Sequence, residues 1–256
     1  MKIFQLTRKE MSEILLALKG WESKLPVQIL QEAWMMRNPD AEGMEKQLSA
    51  LITTSLPPIF IKIMKTTKKE NGFSLNEIVQ LGMQIENTNF SLSAIQNWVK
   101  RDIKDIVVSP HQGKKYSLEQ TALLFLVEDL KTALDFESIR KLLKLIINDP
   151  EDADDDLINP VYLYAAYSTL FEDLNKKGIG FTASYKELPS IELVEQMIRE
   201  RAEGIIDRYP SLPVQKREAI RNAIVIATLS VFTAYFQMLA RRYLSATLFL
   251  KDITNE

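Results

Sequence analysis

The sequence predicts a mainly α fold carrying one small β hairpin, and three observations predict it. Of 256 residues 46% are hydrophobic, only 8 are Gly and 10 are Pro, and the apolar residues fall at helical spacing through most of the chain. The single hairpin signal is Ile106 to Ser117, two short β-prone runs around a turn containing Pro110 and Gly113. The length suffices for one large or two ordinary domains with a substantial core.

Residues 1–55 read as an N-terminal helical extension. Thr7-Arg-Lys-Glu10 is a capping-box sequence that leads into a helix from Met11 to Trp21. A second helix, Val27 to Arg37, follows Pro26, and its Ile29, Leu30, Ala33 and Trp34 share a face. That face must cover something, either the next segment or a sister subunit. Leu56-Pro-Pro-Ile59 marks a boundary.

Residues 56–147 hold the most informative pattern. Ser74 is a natural N-cap for a helix from Leu75 to Gly82, with Glu77 at the third helical position. The next helix starts at Ser91 or Ser93 and runs to Arg101. Ile95, Trp98 and Val99 lie on one face of it, so Trp98 reads as core, and Gln96, Asn97, Lys100 and Arg101 are left outside. The hairpin comes next. Ser117 then opens a helix with Leu123, Leu124, Leu126, Val127 and Leu130 at helical spacing, and a short helix from Phe136 to Leu145 follows Asp135. Two helices, a basic hairpin and a long helix in this order are the parts of a winged helix-turn-helix, the hairpin being the wing.

The exposed residues have the chemistry of duplex DNA recognition. Asn and Gln pair with adenine edges and Arg with guanine, which assigns Gln96, Asn97 and Arg101 to bases. Ser91, Ser93 and Lys100 are assigned to positioning, and His111, Lys114 and Lys115 at the wing to phosphate or minor-groove contact. The plain alternative is that His111 is a loop residue and that Lys114 and Lys115 form a solvated turn.

Gly113-Lys-Lys-Tyr-Ser-Leu-Glu-Gln120 resembles the wing of MerR-type regulators, and the run from Leu130 to Leu143 resembles their final helix pair. As a unit, residues 56 to 143 are similar to a family of bacterial proteins that share the domain of unknown function numbered 1836. The resemblance implies a DNA-binding transcriptional regulator. The chain departs from the MerR pattern in the long connection Gln84 to Phe90, and in Asn97-Trp98 where those regulators carry an Arg and paired Tyr.

Net charge is only −2, but it is segregated. From Lys62 to Lys115 nine Lys or Arg stand against five Asp or Glu, a balance of +4, whereas residues 149–156 hold six acids in eight positions. Local potential, not the total, governs association with a polyanion. The acidic run lies in a linker, residues 148–158. It fails as a calcium loop, because Leu157 stands where the tight turn requires Gly and Leu163 where a bidentate Glu is needed.

Residues 159–256 read as a C-terminal helical bundle for dimerisation or effector binding. Its helices are Val161 to Lys177, Ile191 to Tyr209 and Pro213 to about Lys251, the last about 57 Å long if straight. Tyr162, Tyr164, Tyr167, Phe171, Phe232, Tyr235 and Phe236 would line a small-molecule effector pocket or simply fill a core. Asn222 to Ala240 is uncharged for nineteen residues, long enough to span a bilayer, yet its polar residues favour a buried helix in a bundle or dimer interface, so no membrane is expected.

A homodimer is expected because one recognition helix reads only a few base pairs. No signal peptide or cysteine is present, so a cytoplasmic location is the default, and thiolate metal sensing is excluded. With one His, no Gly-rich phosphate loop and no acid-base constellation, neither an enzyme nor a cofactor or metal site is expected. The other functional class considered is a protein-interaction module, which exposure of Ile95 and Trp98 would favour.

Overall fold

A computed structural model describes residues 4–38, 56–65, 72–108, 115–150, 152, 155–177, 191–207 and 212–254. Among them are ten α-helices: α1 (Arg8–Lys19), α2 (Pro26–Arg37), α3 (Pro58–Lys65), α4 (Leu75–Gly82), α5 (Leu92–Asn97), α6 (Leu118–Leu130), α7 (Phe136–Ile146), α8 (Pro160–Lys177), α9 (Ile191–Ile206) and α10 (Val214–Thr254).

Short polar sequences set the starts of several helices. In α1 the Thr7 hydroxyl accepts the Glu10 amide at 3.2 Å and Glu10 accepts the Thr7 amide at 2.7 Å, while Gly20 closes the helix at φ 74°. Reciprocal bonds of the same kind join Ser74 to Glu77 at α4 and Ser117 to Gln120 at α6. Pro26 occupies the first turn of α2, where its missing donor costs nothing.

Helix α6 is the centre of the molecule. Every residue from Thr121 to Leu130 is buried, the signature of a helix enclosed on all sides, and α1, α8 and α10 pack around it. The core runs without a break from Leu6 to Phe232. The N-terminal extension is part of it, with α1 laid along α8, so its apolar face is covered by the chain itself. Tyr164 and Tyr167 are fully buried, and the Phe171 and Phe232 rings meet at 4.8 Å; these aromatics fill the core.

One buried polar cluster fastens α1 and α8 to α6. Arg8 donates to Asp129 from Nε at 2.9 Å and from a terminal nitrogen at 2.8 Å, and to the Glu86 carbonyl at 3.0 Å. Tyr167 donates its hydroxyl to the other Asp129 oxygen at 2.7 Å. Burial opposes the Arg8 charge, but Asp129 outweighs it and the guanidinium holds its proton more tightly than usual.

The expected wing is absent. No β-strand occurs among the described residues; there are only isolated bridges, so a mainly α class holds and a winged helix-turn-helix does not. The physical reason lies in what each β-prone run does instead. The Ile106 and Val107 amides both bond the Ile103 carbonyl, at 3.0 and 2.9 Å, and the two side chains are buried. Gln120 takes the Val108 carbonyl at 2.9 Å. Tyr116 pairs with Phe73, amide to carbonyl in both directions at 2.8 and 2.9 Å. Among the described residues the two runs thus bond to other partners and not to each other. Gly72 permits the Tyr116 pairing: a Cβ there would lie 1.9 Å from the Tyr116 carbonyl oxygen, and its φ of 142° suits only glycine. Residues 109–114, with His111 and Lys114, lie outside the described residues.

Helix α10 has two halves. Ile220, Ala223, Ile224, Ala227, Thr228 and Val231 are buried where the helix packs on α6 and α8, whereas every residue from Arg241 to Phe249 is exposed. Between Val214 and Phe249 it is long and apolar enough to cross a membrane by length and composition, although the first half already has a protein neighbour.

Candidate nucleic-acid interface

The helix pair α4 and α5 forms as its sequence directs, but the connection between them is a built structure and not a tight turn. Leu6 pairs with this connection, its amide bonding the Gln84 carbonyl at 2.7 Å and its carbonyl the Glu86 amide at 2.9 Å. Asn87 takes the left-handed conformation at φ 59°. The Thr88 hydroxyl bonds the Gly82 carbonyl at 2.8 Å, and Phe90 folds back so closely that a Cβ on Gly82 would lie 2.4 Å from its ring. Thus the N-terminus of the chain helps to set the angle at which α5 is presented.

Helix α5 is shorter than its spacing predicts. After six residues it widens into a π turn, Trp98–Asp102, closed by the Ile103 amide on the Trp98 carbonyl at 2.9 Å. In a regular α-helix, residues five apart point to different faces. The wider turn brings Trp98 and Ile103 to the same side, and both are buried. Trp98 leans on Phe136 of α7, ring centres 5.9 Å apart, beneath the Lys131 ammonium at 5.2 Å.

What remains outside is mostly polar and cationic. Ser91, Ser93, Asn97, Lys100 and Arg101 are exposed and Gln96 is half-buried. Ser91 is already occupied in part, its hydroxyl accepting the Ala94 amide at 3.3 Å as N-cap. Arg101 reaches Asp102 at 3.3 Å while staying largely in water, so the pair holds it only weakly. Lys115, at the edge of the Phe73 bridge, is also exposed.

Further cations stand beside this set. Lys144 of α7 pairs with Asp105, just beyond the π turn, and holds that carboxyl below the usual range. This link joins α7 to the segment after the π turn, where Lys104 is exposed; Lys141 on α7 is exposed as well and pairs with Glu137 at 2.7 Å. The signal was present in the sequence: Ile139, Leu143 and Ile146 share the buried face of α7, which turns Lys141 and Lys144 outward. Their relation to α5, however, depends on contacts between elements far apart in sequence.

Beside the start of α6 lies a cavity of about 240 Å³ lined by residues that include Ile106, Glu119, Leu123, Ile147 and Asp156. Burial first, then the like charges of Asp155, Glu119 and Asp152, push the Asp156 carboxyl up to about 7. Among the described residues no group of three or more acids or histidines could hold a metal ion.

Fold and site together define a mainly α protein that presents a short polar helix and a cationic π turn from a continuous helical core. The chain belongs to the family named Domain of unknown function (DUF1836), whose model matches residues 63–167, from the end of α3 through the buried turns of α8. It is 37% identical over 243 residues to "Uncharacterized protein YkrK" of Bacillus subtilis (strain 168), a match covering 94% of this chain and 97% of that relative. No solved structure matches.

Proposed function

We propose that this protein is a DNA-binding transcriptional regulator that reads duplex DNA with α5 and its π turn. Its helix order is like that of MerR-type regulators, without their wing. The observation that carries the reading is the division of α5 and its π turn into two faces. Ile95 and Trp98 are 0% and 4% exposed, while Asn97, Lys100 and Arg101 stand in water. A protein-docking surface would keep its large apolar residues outside; a DNA reader buries them and exposes amide and guanidinium groups. The half-buried Gln96 serves the edge of such a contact, Ser93 and Lys100 serve the backbone, and Lys104, Lys141 and Lys144 widen the cationic rim. Lys115 remains in the proposal, and so do His111 and Lys114, as backbone contacts not built on a wing. The reading involves no catalysis or cofactor, and it places the protein in the cytoplasm with DNA as partner and room for a small-molecule effector.

Selection from a random duplex pool by the full-length protein tests this, with affinity followed by fluorescence anisotropy over a salt series. Enrichment of one motif is expected. Arg101→Ala should weaken the selected site by about 1–3 kcal/mol and relax specificity at one position. Lys100→Ala should weaken all sequences alike and reduce the salt slope by about one unit. Absence of binding at low salt would reject the reading.

A further inference from the structure

We infer that the outer half of α10 docks a second copy of this chain, with the two helices antiparallel. Apolar exposure begins at Leu229 and Phe236, continues through Tyr243, 71% exposed, and reaches Leu244, Leu248 and Phe249. Exposure alone names no occupant, but the spacing does. Leu229, Phe236 and Tyr243 recur every seven residues, and Thr233, Ala240 and Thr247 follow each of them four residues on. This is the alternating four-three spacing of a coiled-coil seam.

Large residues fill one seam position and small ones the other. The Thr233 and Thr247 hydroxyls donate to the Leu229 and Tyr243 carbonyls within the helix, both at 2.9 Å, which leaves the methyl groups available to a neighbour. In a parallel pair, like positions meet, so crowded Phe and Tyr layers would alternate with near-empty Ala and Thr layers. Reversing one helix sets large against small throughout. Leu229 then faces Thr247 of the other copy, Phe236 faces Ala240 and Tyr243 faces Thr233. All three pairings satisfy one register, with the two-fold axis beside Met238.

Lipid is the competing occupant, and the same pattern argues against it. Arg241 and Arg242 follow the seam residue Ala240 at positions that a two-helix pair leaves in water, whereas a bilayer would enclose them. A lipid-facing helix also needs no seven-residue alternation of size. Closing Leu229, Phe236 and Tyr243 of both copies over the small seam residues takes their exposed apolar area out of water, and Leu244 flanks the seam, whereas Leu248 and Phe249 fall at the outward positions of Arg241 and Arg242. The inference stands apart from DNA binding, and neither falls with the other.

Sedimentation velocity of the full-length protein at micromolar concentration should give twice the 29.4 kDa chain mass. A Phe236→Glu/Tyr243→Glu variant, whose substitutions touch exposed positions only, should run as a monomer that stays folded, with a melting temperature that no longer depends on protein concentration. Because the chain has no cysteine, Thr233→Cys and Tyr243→Cys chains report orientation with a short bis-maleimide: a re-equilibrated mixture of the two should cross-link, and either alone should not. A monomeric wild type, a dimer indifferent to the double Glu variant, or efficient cross-linking of one cysteine variant with itself would overturn the proposal. So would a monomer that co-sediments with phosphatidylglycerol vesicles, which would assign the face to lipid.

Discussion

One Asp156 carboxyl oxygen is enclosed without a hydrogen-bond donor, and this carboxyl titrates near 7 against an ordinary 3.8. Between those values the folded protein keeps a proton that the unfolded chain has released. Stability is therefore full below pH 3.8, drains as pH rises, and has lost this contribution above 7. Asp156→Asn should stabilise the protein by roughly 1 kcal/mol at pH 8 once solvent screening of this half-buried group is allowed for. The gain should vanish near pH 4. Melting curves at the two pH values check this, with a rise of about 2–4 °C expected at the higher one and an equal rise at both counting against it. Asp129 is the opposite case, a buried carboxylate with every oxygen engaged. Asp129→Ala strands the Arg8 charge and should cost about 3–5 kcal/mol in urea unfolding, whereas Arg8→Met with Asp129→Leu should recover most of that. Additive losses would show that the two residues do not act as a pair.

Caps and apolar spacing made the helices legible element by element. Thr7 with Glu10, Ser74 with Glu77, and Ser117 with Gln120 mark three starts, although the first helix begins at Arg8 and not at Met11. The hairpin was not legible, because β-prone runs state a preference for pairing without naming the partner, and Tyr116 found Phe73. Nor was the π turn, which lets Trp98 and Ile103 both enter the core. The α4–α5 connection offers the clearest test at this scale. Gly→Ala inside an exposed helix ordinarily gains about 1 kcal/mol, but at Gly82 the new methyl meets the Phe90 ring, itself edge-on to Phe125 at 5.5 Å. Gly82→Ala should therefore destabilise by about 1–3 kcal/mol. Phe90→Leu in the same background should return part of the loss.

The whole molecule is joined by α6, which packs against α1 near the start of the chain and α10 near its end. An unbroken core from Leu6 to Phe232 predicts one cooperative unfolding transition, with coincident curves from circular dichroism and Trp fluorescence. Two separated transitions would instead show that the N-terminal, central and C-terminal segments fold as independent units. The N-terminal helices belong to the same argument. Leu6 fixes the connection before α5 and Arg8 holds α6, so loss of residues 1–20 should unfold the centre and not merely trim an appendage.

The sequence by itself determined the mainly α class, the helix starts, the burial of Ile95 and Trp98 and the polarity of the residues beside them, because periodicity and capping are local physics. It also carried the seven-residue alternation of large and small residues on α10. Only the tertiary structure decided that no wing forms, that the N-terminal extension covers α8, that Lys144 meets Asp105 just beyond the π turn, and which half of α10 is left open. Each of these depends on which distant segment a face or a backbone edge meets, and pairing between distant segments is set by the competition of the whole chain for one core.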